Sequence, residues 1–385
     1  MKHIWWVPIS ILLLAGCVPS ATNETEVIGT EDVEMAIIPS MQLDEQYYRT
    51  LLPYKQSAVR GRIVSRIYSK YDIKEVEGGL LRLSQRQFSP DDYYFQEGQK
   101  ITLDDSVAWL QRNAGELAED EEVPAGHNPL GLNSTDTRTD EERADGERPS
   151  PEILSHIVEQ NYLVKTNEET IRLGGVSIGL ALNSVYYNSI DGISYEEEIP
   201  RAQLEEEGRR MADEIVSRLR EREGMDNVPI MVGLFQQKSR NSISPGTYFS
   251  YGIAPGGQTA TGNWTGVNEE YTVFPNSSSE EKYREADTSF RNFKQDVEVY
   301  FSNFTSVIGT GFYQDDRIRK LQIDIPIEFY GSSEVIGFTQ YLTGLVLEHF
   351  PENIEVEVSV TSTNGPEALI LREIDETEPI VHIYD

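Results

Sequence analysis

Cys17 is the only cysteine in this chain of 385 residues, and it stands at the end of a short apolar run. No disulfide can therefore join two parts of the chain, and the fold has to be held by its buried core. Lys2 gives the run a basic start, the apolar stretch begins at Ile4, and Leu14, Ala15 and Gly16 directly precede the cysteine. A basic start, roughly ten apolar residues and a small-residue cleavage site form an export signal, and the run is shorter than the ~20 residues a spanning helix needs. Leu14-Ala15-Gly16-Cys17 is the pattern of a bacterial lipobox. A thiolate is the side chain best suited to accept a diacylglyceryl group, and the small Ala15 and Gly16 leave the bond before Cys17 open to a peptidase. The expected partners are thus the lipidation machinery, a signal peptidase and finally the lipid bilayer, held through acylated Cys17. Each buried CH₂ contributes ~0.8 kcal/mol, so two or more chains make a stable anchor on the outer face of the cell membrane.

The formal net charge of -32 argues against nucleic acid, whose phosphates demand a basic surface. An acidic body is also repelled by anionic lipid, which leaves the acyl chains to hold it there. With 38% hydrophobic residues, 20 Tyr and 13 Phe, the chain has material for a real core.

Residues 1–16 are read as the signal. Residues 17–45 carry seven acidic and no basic residues, which predicts a solvated tether. Residues 46–112 are read as helix-rich. Val59, Ile63, Ile67 and Tyr71 fall at helical intervals, then Ile73, Val76, Leu80, Leu83 and Phe88 do so again, with Gly78-Gly79 as an interruption and Ser89-Pro90 as a stop. A short aromatic strand or loop is expected over 91–98, and a further short helix over 103–112 with Asp104 as its cap. Residues 113–150 hold about eleven acidic against three basic residues and no apolar period, the composition of a disordered insertion.

From 151 to 385 the pattern becomes a mixture of strands and helices. Val176, Ile178, Leu180 and Leu182 alternate as a strand should, Leu204, Met211, Ile215 and Leu219 mark one face of a helix over 201–223, and 228–235 is apolar enough for a central strand. Helix, strand, strand then recurs twice more, with Leu321, Ile323, Ile325, Ile327 and Phe329 alternating in one of these strands. The expected fold is α+β: a mostly antiparallel sheet with helices packed on one face, preceded by the helix-rich part.

Several runs carry a resemblance. Tyr48-Arg49-Thr50-Leu51-Leu52-Pro53-Tyr54-Lys55, the run from Gln87-Phe88-Ser89-Pro90 through Gln99, and Ile178-Gly179-Leu180-Ala181-Leu182-Asn183-Ser184-Val185-Tyr186-Tyr187 resemble the CamS family, lipoproteins of Gram-positive bacteria named as precursors of the sex pheromone cAM373. The likeness continues through 228–235 and the C-terminal strands. In that family the signalling peptide comes from the signal segment. The resemblance therefore implies a pheromone made of Ser10, Ile11, Leu12, Leu13, Leu14, Ala15 and Gly16, trimmed after cleavage before Cys17 and read by a peptide receptor.

Other constellations carry less chemistry. Gly175-Val176-Ser177-Ile178-Gly179 matches a nucleophile elbow, but strand alternation runs straight through Ser177, whereas an elbow ends its strand at the serine. The five histidines, His3, His127, His156, His349 and His382, show no ligand spacing, and Asp136, Asp140, Glu141, Glu142 and Asp145 lack the alternation of a calcium loop. No phosphate loop is present. The expectation is a chain with no enzymatic activity, no metal and no cofactor. Residues 244–275 read as a long loop whose Tyr248, Tyr251, Trp264 and Tyr271 could stack on a ligand. A cell-envelope binding lipoprotein with no pheromone role is accordingly the competing reading.

Overall fold

The computed structural model describes residues 22–28, 34–39, 43, 47–61, 67–116, 122–139, 141–142, 145–166, 170–300, 306–329 and 331–384. The signal, the lipobox, Cys17 and the whole segment 10–16 lie outside them. The described chain opens with strands β1 (Thr22–Ile28), β2 (Glu34–Pro39) and β3 (Arg49–Thr50). Helix α1 (Lys70–Ser84), strand β4 (Tyr94–Glu97) and helix α2 (Leu103–Trp109) follow, then the short strands β5 (Arg112–Asn113) and β6 (His127–Asn128). Next come the long hairpin β7 (Leu154–Lys165) and β8 (Thr170–Leu182), a second hairpin β9 (Val185–Ile190) and β10 (Ile193–Glu198), and helix α3 (Arg201–Arg220). Strands β11 (Ile230–Gln236), β12 (Thr247–Ala254), β13 (Trp264–Gly266) and β14 (Glu269–Phe274) lead to helix α4 (Glu281–Tyr300). The chain closes with β15 (Ile308–Gln314), β16 (Arg317–Pro326), helix α5 (Ser332–His349), β17 (Glu355–Ser362), β18 (Gly365–Arg372) and β19 (Ile380–Ile383).

Two sheets organise these elements. The first runs β13-β12-β11-β8-β7-β4-β3, with β1 lying parallel against β8 and β2 beside β1; the second runs β14-β15-β16-β17-β18-β19. Most neighbours are antiparallel, and the parallel pairs include β8 with β11 and β16 with β17, each joined by a crossover helix. Three successive helix–strand–strand units, begun by α3, α4 and α5, are present as the periodicity predicts. They divide between the sheets, one in the first and two in the second.

The first sheet is covered on both faces, not on one as expected, and β8 shows why. Its Val176, Ile178, Leu180 and Leu182 enter the core beneath α3 with Leu204, Met211, Ile215 and Leu219. Its other face is nearly bare, formed by Gly175, Ser177, Gly179 and Ala181. Into the space left by those missing side chains fit Leu80 and Leu83 of α1, Phe88 and Tyr248. A Cβ at Gly175 would stand 2.2 Å from a Phe88 ring carbon, and one at Gly179 would stand 2.3 Å from the Tyr248 hydroxyl. The second sheet keeps the simpler pattern. Leu321, Ile323 and Ile325 of β16 pack under Phe290 and Phe293 of α4 and Phe338 and Leu342 of α5.

Several expectations require correction. Residues 57–61 form a turn, 62–66 lie outside the described residues, and the helix starts at Lys70 behind its cap Ser69; within 46–112 only α1 and α2 are helical among the described residues. Gly78-Gly79 sits inside α1, because burial of Val76, Leu80 and Leu83 on either side holds the helix against the propensity cost of about 1 kcal/mol per glycine. The cap of α2 is Thr102, whose hydroxyl accepts from the Asp105 amide while Asp105 accepts from the Thr102 amide. Within the expected tether, β1 and β2 pair with each other and β1 joins the sheet; the count of acidic residues hid Val27, Ile28, Ile37 and Ile38, which favour strands.

Residues 122–139 of the expected disordered insertion dock instead. Leu132 and Asn133 are fully buried; the Asn133 amide donates to the Leu110 and Leu154 carbonyls at 3.0 and 2.9 Å, and its oxygen accepts from the Leu154 amide at 2.8 Å. Arg210 and Arg218 of α3 reach the carbonyls of Leu132 and Leu130. Hydrogen bonds from the body thus add to the burial of Leu132, the one large apolar side chain this segment places in the core beneath α3 among the described residues. Replacing Gly179 by Ala tests the close approach of α1 and Tyr248 to β8. Overpacking there should cost about 1–3 kcal/mol in urea unfolding, and an unchanged midpoint would mean that the helix stands farther from the sheet.

Candidate functional site

Residues 244–275 are not one loop, since β12, β13 and the whole of β14 run through them. Gly-rich, aromatic edge strands resemble a loop in composition alone. Tyr248 is fully buried and donates to the Val76 carbonyl at 2.7 Å. Tyr251 is half-buried on the same strand. Trp264 lies on the edge strand over Gly252, with the Arg209 guanidinium 5.4 Å from its ring. Tyr271 belongs to the second sheet and donates to Glu75 Oε2 at 2.8 Å. The four rings thus occupy core, edge and junction, and form no common surface.

Ser177 lies within β8, fully buried, and accepts from the Ser84 hydroxyl at 2.8 Å. Its flanking glycines admit Phe88 and Tyr248, so the elbow motif is a packing motif. His349 pairs with Asp296 at 2.7 Å, tying α5 to α4. Asp136 is engaged by Arg138 at 2.8 Å. Among the described residues no group of His, Cys, Asp and Glu could hold a metal ion, and no helix is long and apolar enough to cross a membrane.

Polar chemistry concentrates around α1. Arg82 Nη2 lies 2.6 Å from Glu75 Oε1 on its own helix and 2.7 Å from Glu269 Oε2 on β14. Its guanidinium also stands 4.5 Å from the centre of the Phe312 ring. Burial by itself would lower the pKa of Arg82, but Glu75 and Glu269 outweigh it and hold the group above its ordinary value. This cluster joins the two sheets. At the start of α1, Asp72 accepts from the Gly246 amide at 2.6 Å and from the Lys238 amide at 3.1 Å. Burial pushes its carboxyl up to about 6 despite those bonds.

Two clefts on the surface of the described residues carry charged walls. The smaller, about 250 Å³, lies between the start of α4 and the end of α5, and its Lys282 is bound by Glu270, Glu280 and Asp316. The larger, about 410 Å³, lies between α1, β4, β7 and residues 54–61. Leu81, Phe95 and Val158 give it an apolar floor, and Arg60, Lys74, Glu77 and Glu97 stand around it. Glu97 is fully engaged: the Tyr54 hydroxyl and the Ser57 amide donate to it, and Arg60 lies 3.4 Å away. Burial together with the Glu97 carboxylate pushes the Tyr54 hydroxyl up to about 12. Glu159 is buried behind the cleft and accepts from the amides of Gln99, Lys100 and Ile101 at 2.9, 2.9 and 2.7 Å. Glu77 has no ion-pair partner among the described residues, and burial, followed by the charge of Glu97, pushes its carboxyl up.

The model of the family described as CamS sex pheromone cAM373 precursor matches residues 54–378. The chain belongs to the CamS family. No curated protein matches the sequence. The crystal structure of a sex pheromone precursor from Lactobacillus salivarius superposes with a TM-score of 0.79 at 28% identity, over 90% of this chain and 98% of that one. The C-terminal domain of the sex pheromone staph-cAM373 precursor from Staphylococcus aureus gives 0.69 at 31% identity, over 83% and 98%. The long aromatic runs around α1 and β4 and the β8 strand were thus a sufficient signal for the CamS family. The Arg82 cluster and the clefts had no local signature, because their residues come from separate elements.

Substituting Arg82 by Met should leave Glu75 and Glu269 facing each other uncompensated. A loss of about 2–4 kcal/mol is expected, reduced from a fully buried case because Arg82 is 30% exposed. Differential scanning calorimetry should then resolve the two sheets as separate transitions; a single unshifted transition would remove the cluster from its joining role. Asp72 carries a pH signature of known sign. Its folded pKa of about 6 exceeds the ordinary 3.8, so its contribution is fully present below the lower value and is lost as pH rises through the upper one. Asp72→Asn should flatten the wild-type decline in urea midpoint between about pH 4 and 6.5, and parallel profiles would refute the assignment.

Proposed function

We propose that this CamS family chain is a lipoprotein anchored on the outer face of the cell membrane, whose signal tail is released as a peptide pheromone for conjugative plasmid transfer. The observation that carries the reading is Cys17, the sole cysteine, placed directly after Leu14-Ala15-Gly16 at the end of a short basic-led apolar run. Family membership adds that relatives bear the name of pheromone precursors. The family match begins at residue 54, so the peptide's own sequence has to carry its activity.

In this reading the peptidase that frees Cys17 also frees the stretch ending at Gly16. Further trimming leaves Ser10, Ile11, Leu12, Leu13, Leu14, Ala15 and Gly16, an uncharged segment apart from its two ends. Such a peptide has only apolar side chains and termini to offer a receptor. Each large side chain contributes at most about 1.5–3 kcal/mol when fully buried. The acidic body plays no part in that signal and stays behind on its acyl chains.

Cys17→Ser should abolish fatty-acid labelling and move the protein out of the membrane fraction or leave it unprocessed. A synthetic peptide of residues 10–16 should induce aggregation or plasmid transfer in responder cells, and Leu13→Ala in that peptide should weaken the response by about tenfold, the worth of one partly buried leucine. Unlabelled wild-type protein would refute the anchor, and silence of the peptide across responder strains would refute the pheromone.

A further inference from the structure

We propose that the cleft between α1, β4 and β7 binds short apolar peptides by their free amino terminus, with the ammonium group at Glu77 and the leading side chain on Leu81, Phe95 and Val158. The proposal concerns the folded body and does not depend on the pheromone reading.

The first observation is a glycine with no packing reason. Gly78 lies in the interior of α1, where glycine is less favourable than alanine because it gives up more backbone freedom on folding. A Cβ at Gly79 would meet Glu75 at 2.8 Å and Tyr248 at 3.1 Å, so that position must be bare for the helix to lie on the sheet. A Cβ at Gly78 would meet nothing within 4 Å. It lines the cleft. The exposed backbone it leaves there suits a ligand that approaches the helix closely.

The second observation is the charge arrangement. Of the carboxylates that line the cleft, Glu159 is satisfied by three backbone amides, and Glu97 by Tyr54, Ser57 and Arg60. Of the three carboxylates only that of Glu77 has no ion-pair or hydrogen-bond partner among the described residues, and it sits next to Gly78 on the cleft wall. Arg60 is stacked over Tyr54 and held by Glu97, and Lys74, also at the cleft, forms no ion pair with Glu77. A cationic head therefore gains a partner here. The smaller cleft differs, since its Lys282 already lies among three carboxylates.

The third observation is the floor. Val158 projects from β7 beside Leu81 of α1 and Phe95 of β4, and buried Gln160 closes the end, its amide donating to the Glu77 carbonyl at 2.9 Å and its oxygen accepting from Tyr162 at 2.9 Å. A volume of about 410 Å³ suits a few residues of extended peptide and lies in the range of small-ligand sites. Apolar side chains and one terminal ammonium are what the walls match.

The test is isothermal titration of the full chain, held in lipid nanodiscs, with trileucine as probe. Wild type should bind at one site. N-acetylation of the probe and Glu77→Gln should each weaken binding about tenfold, as loss of a charge-assisted contact does. Gly78→Leu should abolish binding. Gly78→Ala should raise the melting temperature while weakening binding, a pairing that a merely structural glycine would not give. Undiminished binding of the acetylated probe, as for an apolar acid, would overturn the proposal. So would undiminished binding by Gly78→Ala, or absence of any heat with wild type. If Gly78→Leu fails to fold, Gly78→Ala and Glu77→Gln decide.

Discussion

Helix α1 can rest on the first sheet only because β8 presents glycine, serine and alanine where a strand ordinarily presents bulk. That contact fixes the rest of the molecule. With Val76, Leu80 and Leu83 seated against β8 and Tyr248, every other side of the helix is assigned by the 3.6-residue period. Asp72 at its start catches the amides of Lys238 and Gly246, Glu75 and Arg82 turn to the second sheet, and Lys74, Glu77 and Gly78 are left facing the cleft. One fifteen-residue helix thus connects two sheets and forms the wall of a pocket.

The junction at Arg82 is an economical solution for a chain without a disulfide. The two sheets are joined by a guanidinium shared between two carboxylates, backed by Tyr271 against Glu75 and by Gln314 against Glu269. Charges removed from water are costly unless each has a partner, and here every member of the group has one. The arrangement specifies orientation more than it adds stability. The acidic insertion follows the same logic on a smaller scale, since arginines from α3 reach its backbone carbonyls where an apolar seam would ordinarily serve.

The proposed anchor and peptide rest on the local sequence that ends at Cys17, which lies outside the described residues and involves none of these tertiary contacts. The body carries its cleft independently of that signal. An acidic exterior with a small apolar recess and one unpaired rim carboxylate among the described residues suits selection of small cationic-headed ligands over large anionic partners.

Periodicity and local chemistry alone determined the alternating strands, with Val176 to Leu182 in and Leu321 to Ile325 in, the three helix–strand–strand units and the strand context of Ser177. These are properties of neighbouring residues, read directly as periods of two and 3.6. The long runs around 48–55, 87–99 and 178–187 likewise sufficed for the family. Tertiary structure decided the docking of 122–139, the conversion of 244–275 from loop to strands, the seat of α1, and the meeting of Arg82 with Glu269, which are 187 residues apart in sequence. Contacts of that range have no local signature, because a charge or an aromatic ring reads the same in solvent as in a junction. Only the folded chain shows which of the 65 carboxylates stand opposite an arginine and which one is left beside a bare glycine.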